Sequence, residues 1–388
     1  MKSSHLAAVA LTAAAGVLGA ILGTAPALQA AEPCPTQCAT GKVQLGIAVP
    51  LTGSAAAFGK PTAKAVEIAV GEINSSGGLL GIPVEPVVAD DRCDAGMAMM
   101  VAKSQAEKNI RFVIGPTCPA VAIEAAPAYA AAGIIQFVPT VTTVELTERY
   151  PDNIFRMVAT DAQEAQALAA YLAREQPNKK LAVVFGEFFY RRAMAKMIDG
   201  ALSPEQKALT HLESLADVSG AYDRLADKLQ KNPPDVIYMS LDAEPAAEFV
   251  KKLNERGIKS MLIGGQHLLS AGFWRSYPAA AERIHIITPI DSLGNADFVK
   301  AIDVLFKADI TPDIVALSNF AAVQTWAAAV RRAGSGDPKS VVAALRAGTF
   351  KTAVGNVAFD EKGNRRDIGY SIMTWKNGLP VHGFPWRP

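Results

Sequence analysis

From residue 42 onward the chain alternates two patterns of apolar positions. Runs that are apolar at nearly every position, such as VQLGIAVPL and LAVVFG, read as strands covered on both faces. Between them lie stretches of roughly 10–15 residues in which apolar positions recur every three or four, the helical period. Residues 61–75 are the first such helix, with Pro61 in the opening turn and Ala65, Ile68, Ala69 and Ile73 on one face. SSGGLLG then makes a turn, followed by strand VEPVVADD, a helix over 95–109, strand RFVIG, an Ala-rich helix over 119–132 and strand IIQFVP. The block repeats with helix 161–175, strand LAVVFG, helix 190–201, a weak strand over 210–215, helix 220–231, strand VIYMS, helix 244–257, strand MLIGG, a short helix near 270–277 and strand HIITPI. Strands alternating with helices predict right-handed βαβ units and parallel sheets.

After residue 290 the order changes to helices at 295–307, 313–333 and 338–347, then two short strands with a hairpin-like turn at DEKGN. Two βαβ blocks predict an α/β fold of two doubly wound parallel-sheet lobes. A helical tail that returns to the first lobe makes the chain cross between lobes three times, a three-strand hinge. The expected division is lobe 1 over 42–159 plus 291–354 and lobe 2 over 160–290 plus 355–388, with a short N-terminal segment at 31–41. Ligands of open α/β sheets sit at the carboxyl ends of strands. The Gly/Ser/Thr-rich turn after the first strand, in LTGSAAAFG, places backbone N–H groups and small hydroxyls there. Closure of a hinged cleft on a small molecule is the expected motion.

Upstream, Lys2 precedes an apolar stretch from Leu6 to Leu22, and small residues lead to Leu28-Gln29-Ala30. This is the pattern of an export signal (1–30) cleaved after about Ala30. The competing reading, an uncleaved anchor, lacks a basic stop-transfer cluster. No later segment stays apolar for the ~18 residues of a membrane span, so a soluble periplasmic chain is expected. Net charge is +1, from 38 basic and 37 acidic residues, which argues against nucleic acid as partner. Export permits disulfides, and four cysteines allow three pairings. Cys93 and Cys118 each follow an apolar run, and loops at the same end of neighbouring parallel strands can bring their Cα atoms within bridging distance. Cys34 and Cys38, four apart beside prolines, either pair locally or tie the tail down.

Catalytic signatures are absent: the sequence holds no G-x-S-x-G, G-x-G-x-x-G, phosphate-binding lysine loop or H-E-x-x-H. The five histidines are scattered, and His267 alone falls near the expected cleft, where a loop histidine competes with a ligand contact. DDRCD lacks the spacing of a calcium loop and reads as a loop cap. A binding protein with no metal and no cofactor is therefore expected, and not an enzyme.

The segments GIAVPLTGSAAAFG, INSSGGLLGIPVE, VVADDRCD, FVIGPTC, FVPTVTTVELT, FGEFFYRRAMA and FDEKGN, in this order and spacing over residues 42–380, resemble the Leu/Ile/Val-binding subgroup of periplasmic solute-binding proteins of ABC importers, with the type I periplasmic-binding fold. The resemblance implies transport of an amino acid or related carboxylate, a monomer, permease and ATPase subunits as partners, and a Cys93–Cys118 disulfide. It implies a ligand site in which Thr142 matches the ligand-binding threonine, with Thr140 and Val141 supplying backbone groups beside it. Tyr190 matches the second-lobe aromatic, and Phe58 stands where an aromatic faces the cleft. Three positions depart. Pro119 replaces a serine and removes a hydroxyl and an N–H. Gln266 stands where a carboxylate takes the α-ammonium. Leu241 or Asp242 stands where a polar aromatic sits.

Gln266 offers a neutral acceptor where a charge-assisted bond is roughly twice as strong, so ammonium recognition weakens unless Asp242 or Glu244 compensates. Those two acids also suit a helix N-terminus with no ligand role. Phe58, Phe188, Phe189 and Tyr190 add flat apolar walls, and Arg191 matches a carboxylate's fork. The competing ligand class is thus an aromatic or other amine-free carboxylate, and the competing role is a ligand sensor with a signalling partner.

Overall fold

The computed structural model describes residues 41–384 apart from 188, 217 and 293, and of Phe189, Tyr190, Gly383 and Phe384 only the backbone. The expected export signal, Cys34 and Cys38 lie outside the described residues. Five parallel strands form the first sheet: β1 (Val43–Val49), β2 (Val84–Asp90), β3 (Phe112–Ile114), β4 (Ile135–Val138) and β5 (Ile154–Arg156), in the order β2-β1-β3-β4-β5. The second sheet holds β6 (Leu181–Gly186), β7 (Thr210–Leu215), β8 (Val236–Ser240), β9 (Met261–Gly264) and β10 (His285–Thr288), in the order β7-β6-β8-β9-β10. The two parallel cores thus share one topology, with order reversal between β1 and β3 and again between β6 and β8.

Helices cover both faces because the strands are apolar throughout. Leu45, Ile47 and Val49 of β1 are fully buried, packed in one core with Ala65, Ala69 and Ile73 of the helix Ala56–Ser75 and with Trp326 of the helix Ile314–Ala333. The predicted helical face is the observed one. The helix itself begins at Ala56, so Pro61 lies inside it rather than in its opening turn. Its missing N–H falls opposite the carbonyl of Ala57, an exposed residue. Gly59 is required in this helix, since a Cβ there would lie 1.8 Å from the Pro50 carbonyl oxygen.

Other elements were not legible. The single-turn helix Glu145–Arg149 and the three-residue β5 are too short to carry a period. Beyond the tail helices the chain makes β11 (Phe350–Thr352), β12 (Gly355–Phe359) and β13 (Arg365–Arg366), an antiparallel sheet of their own, with DEKGN turning between the last two. The expected lobe boundary between Val354 and Gly355 therefore falls inside a hairpin that pairs Phe350 with Val357. The chain joins the second sheet only at β14 (Ser371–Lys376) and β15 (Leu379–Phe384), which extend it antiparallel beyond β10. Asn377 and Gly378, both at positive φ, turn that hairpin.

The tail helix Ile314–Ala333 packs on the helix Ala56–Ser75 beside the first sheet. Three connections consequently run between the sheets, and Arg365 ties them. Its buried guanidinium donates to the carbonyls of Met157 and Pro289, both at 3.1 Å, and more weakly to those of Val354 and Asn356. Cys93 and Cys118 are bridged, with Cα atoms 5.7 Å apart. The strands they follow are not adjacent: β1 lies between β2 and β3, and the two loops meet past its end.

Candidate functional site

The expected site residues fall at the carboxyl ends of strands in both sheets. In the first, Phe58 lies beyond β1, Pro119 opens the helix Pro119–Ala131 after β3, and Thr140, Val141 and Thr142 follow β4. The turn after β1 is shaped by Asp90, whose carboxylate accepts from Leu51 N at 2.7 Å and Thr52 Oγ1 at 2.6 Å. Asp91 accepts from Cys93 N and Asp94 caps the helix Ala95–Glu107, so the acids of DDRCD serve loop geometry.

Several first-sheet groups are already engaged. Thr140 Oγ1 donates to Thr117 O at 2.6 Å. The Val141 carbonyl accepts from the buried Arg156 guanidinium, which also donates to Thr143 O, Thr147 Oγ1 and Asn364 Oδ1. Thr117, just before Cys118, carries a buried hydroxyl with no partner among the described residues. Pro119 is exposed. Phe58 is exposed too, and it lines a cavity of about 280 Å³ with Ser270, Ala271, Arg275, Thr311 and Asp313. Asp313 spans this region: Oδ1 caps the helix Ile314–Ala333 at Ala316 N, and Oδ2 accepts from Ala271 N at 2.9 Å.

The second sheet contributes a charged network. Arg191, one turn into the helix Phe189–Ala201 after β6, donates to Asp242 Oδ1 at 2.5 Å. Asp242 stands at the N-cap position of the helix Ala243–Glu255, but its carboxylate turns to Arg191 rather than to the helix N–H groups. Arg191 therefore enters the site already paired. Its other terminal nitrogen lies 3.3 Å from His267 Nδ1, while His267 Nε2 lies 2.7 Å from the Leu241 carbonyl. A guanidinium only donates and a carbonyl only accepts, so the ring is the neutral Nε2–H tautomer. Burial, with the positive charge of Arg191 beside it, lowers its pKa to about 3. Leu241 is buried and lends this network its carbonyl.

Gln266 opens a short 3₁₀ turn after β9 and is 6% exposed, with neither amide atom hydrogen-bonded among the described residues. Beneath it lies Glu164, a residue the sequence reading overlooked. Its Oε1 accepts from Tyr238 O–H at 2.9 Å and its Oε2 from Gln266 N at 3.4 Å. Burial pushes its pKa up to about 7, against the Tyr238 bond, which lowers it, and with the Asp161 charge, which raises it further. The Gln266 amide lies close enough to lower that value slightly, without reaching hydrogen-bond geometry. Gly265 keeps the space open, since a Cβ there would meet Glu164 Oε1 at 2.5 Å.

Asp161 was overlooked as well. It is the first residue of the helix Asp161–Glu175, whose capping box is formed by Thr160 and Gln163. Its half-buried carboxylate faces the Thr142 hydroxyl. Desolvation raises its pKa, opposed by that hydroxyl and by the charges of Arg191 and Arg156. A signal for both acids was available. Glu164, Leu168 and Leu172 form one buried stripe, so a carboxylate interrupts an otherwise apolar helix face. The structure thus brings Thr142, Asp161 and Glu164 together with Arg191, Asp242, His267 and Gln266, and places Phe58 at a separate cavity.

Comparison with known proteins supplies the rest. A family model described as periplasmic binding protein matches residues 42–379. Among curated proteins, Leu/Ile/Val-binding protein homolog 3 of Brucella melitensis is 28% identical over 341 residues, 87% of this chain and 93% of that relative. Among solved structures, an ABC transporter substrate-binding protein from Desulfitobacterium hafniense in complex with Leu aligns with a TM-score of 0.72 at 23% identity, covering 88% of this chain and 99% of that one. A solute-binding protein of an ABC transporter from R. palustris in complex with benzoate aligns with a TM-score of 0.70 at 20% identity, covering 88% and 96%.

Proposed function

Because this chain belongs to the periplasmic binding protein family, we propose that it captures a small amino acid or related carboxylate between its two lobes and delivers it to the permease and ATPase subunits of an ABC importer. One positional observation carries this reading. The turn that Asp90 holds follows β1, and Pro119 and Thr142 follow β3 and β4, while Arg191, Asp242 and Gln266 follow β6, β8 and β9. These are the equivalent strands of two sheets with one topology, so each sheet offers its switch-point end to the same ligand. The closing bodies in this reading are 42–159 with 291–366 and 160–290 with 367–384, joined by the three connections that Arg365 ties.

Ligand docks first on Thr142 and its neighbouring backbone. The second lobe, with Tyr190 and Gln266, then closes over it and excludes water, which makes each polar contact worth more. The permease recognises the closed form. The protein works in the periplasm as a monomer after its export signal is removed, and it turns nothing over. A thermal-shift screen of ligand-stripped protein tests the binding step, since ligand at ~100 times its Kd adds about 2.7 kcal/mol. Stimulation of ATP hydrolysis by the reconstituted importer tests delivery and separates transport from a sensor role, in which a signalling partner would respond instead.

A second reading has its own support. Gln266 replaces the expected carboxylate, and a structural neighbour holds benzoate. On that reading the ligand is an aromatic or other amine-free carboxylate.

A further inference from the structure

The two bodies of the cleft touch directly at a place away from the three connections. The helix Ile314–Ala333 belongs to the first body, since it packs on the helix Ala56–Ser75. The segment from Leu268 to Ala271 belongs to the second, because the Leu268 carbonyl accepts from Trp375 Nε1 of β14 at 3.1 Å. Two hydrogen bonds join them. Asp313 Oδ2 accepts from Ala271 N, and Ile314 N donates to the Leu269 carbonyl, both at 2.9 Å. The exchange is reciprocal, since each body gives one donor and one acceptor. Ala271 and Ile314 each begin a helix, so neither N–H has a partner within its own helix.

Position gives this contact leverage. Gln324, midway along the same helix, accepts from Ala353 N at 2.7 Å, next to Val354, whose carbonyl Arg365 reaches. From Gln324 back to Asp313 the helix runs about 16 Å, at ~1.5 Å per residue. Rotation about the connections therefore moves the Asp313 end and parts both bonds. A cavity of about 280 Å³ lies beside the contact, with Phe58 and Thr62 on one side and Ser270 and Arg275 on the other. The boundary there is a gap, and the two hydrogen bonds bridge it. The bridging segment also carries Gln266 at its start, so the contact and the expected ligand site share one loop.

We propose that Asp313 and Ile314, paired with Leu269 and Ala271, form a latch that holds the cleft shut whether or not it is filled. The assignment rests on the reading of the chain as two closing bodies, and it is the same for any ligand. Binding energy then adds to a closed state that the chain already favours. A bound ligand leaves only after the latch parts, so the latch slows release and has no part in choosing among ligands.

The test reads the latch in ligand-stripped protein, by residue-resolved amide exchange and by the radius of gyration in solution scattering. Two variants cut the Asp313–Ala271 bond from opposite ends. Ala271→Pro deletes the donor at the first position of a helix, which proline favours, and Ser270 before it is already extended, with φ −110° and ψ 143°. Asp313→Asn keeps an oxygen for the cap at Ala316, where Asn serves as well as Asp, and removes the charge that Ala271 N faces. In both, the Ile314 amide keeps its own acceptor but should exchange roughly 10- to 100-fold faster than in the wild type, the range for losing a hydrogen bond to a charged group. The radius of gyration should rise with it. Exchange at free-chain rates at Ala271 and Ile314 in the wild type overturns the latch without any variant. Ile314 exchange within about threefold of wild type in folded Ala271→Pro also overturns it, and Asp313→Asn decides in the same way if the proline variant does not fold. Faster exchange with an unchanged radius overturns the latch as well. That outcome reaches the two-body reading only if a compound that stabilises the protein in the thermal-shift screen also leaves the radius unchanged.

Discussion

The two sheets share one strand order, yet they bring opposite chemistry to the cleft. The first contributes neutral groups: the hydroxyls of Thr117, Thr140 and Thr142 and the loop carbonyls that Arg156 braces from below. Its loops are bound covalently by Cys93–Cys118 and by the Asp90 turn. The second contributes an ion pair and the polar groups around it: Asp242 on Arg191, Arg191 beside the neutral His267, and the Tyr238 hydroxyl on Glu164. Topology places ligand groups at equivalent strand ends but does not choose their charge. A neutral, cross-linked surface suits a preformed dock. A charged network changes its energy strongly when water leaves, and so suits the half that responds to closure.

Separating the halves gives the largest expected effect. Arg365→Ala removes the guanidinium shared by the three connections and leaves buried carbonyls without donors. It should cost at least about 3 kcal/mol and split one urea unfolding transition into two. A single transition with unchanged midpoint would show that the halves are coupled by other contacts.

The covalent half responds next. A bridge across a sequence separation of 25 residues is worth roughly 3.5 kcal/mol on loop-entropy grounds. Cys93→Ser with Cys118→Ser should lower thermal stability accordingly, with the loss in hydrogen-exchange protection concentrated in β1–β4. A uniform loss across both sheets would break the contrast drawn above.

The charged half should carry its own pH dependence. The folded pKa of Glu164 is raised from 4.5 to about 7, so between those values the folded protein keeps a proton that the unfolded chain has released. Stability from this group is therefore highest below pH 4.5, falls as pH rises to about 7, and stays low above it. The full span is at most roughly 3 kcal/mol. Glu164→Gln should flatten the fall in Tm between pH 5 and 7.5, and an unchanged slope would exclude Glu164 as its source.

The smallest effect concerns the helix that carries both overlooked acids. Thr160 Oγ1 accepts from Gln163 N, and the Gln163 side chain returns the bond to Thr160 N. Thr160→Ala should cost about 1 kcal/mol. An unchanged Tm in the variant would show that the cap adds nothing to the helix.

The contrast between halves was only partly legible beforehand. Strands, helices and their order could be read because periodicity and turn residues are local properties. The helix 161–175 and strand 181–186 were located to the residue. β5, β11 and the single-turn helix Glu145–Arg149 escaped because three to five residues contain less than one clear period. The β14–β15 hairpin escaped despite its Asn-Gly turn, a signal that was present and not used. In the site, Thr142, Arg191 and Gln266 were named from motif positions, and they do lie at strand ends. That Arg191 meets Asp242 and that Glu164 lies beneath Gln266 depend on residues 51 and 102 positions apart.

By itself, the sequence determined the alternation of strand and helix, the doubly wound class, the family and the ends of the sheets where a ligand belongs. Each follows from local spacing or from motifs whose order along the chain suffices. Tertiary structure alone decided which charges are already satisfied. Pairing is set by distances of a few ångströms between segments distant in sequence, and Coulomb and desolvation energies change by kilocalories over those distances. Arg191 read as an available cation becomes a neutralised one, and Glu164, unremarked in a helix, becomes a buried carboxyl beneath Gln266.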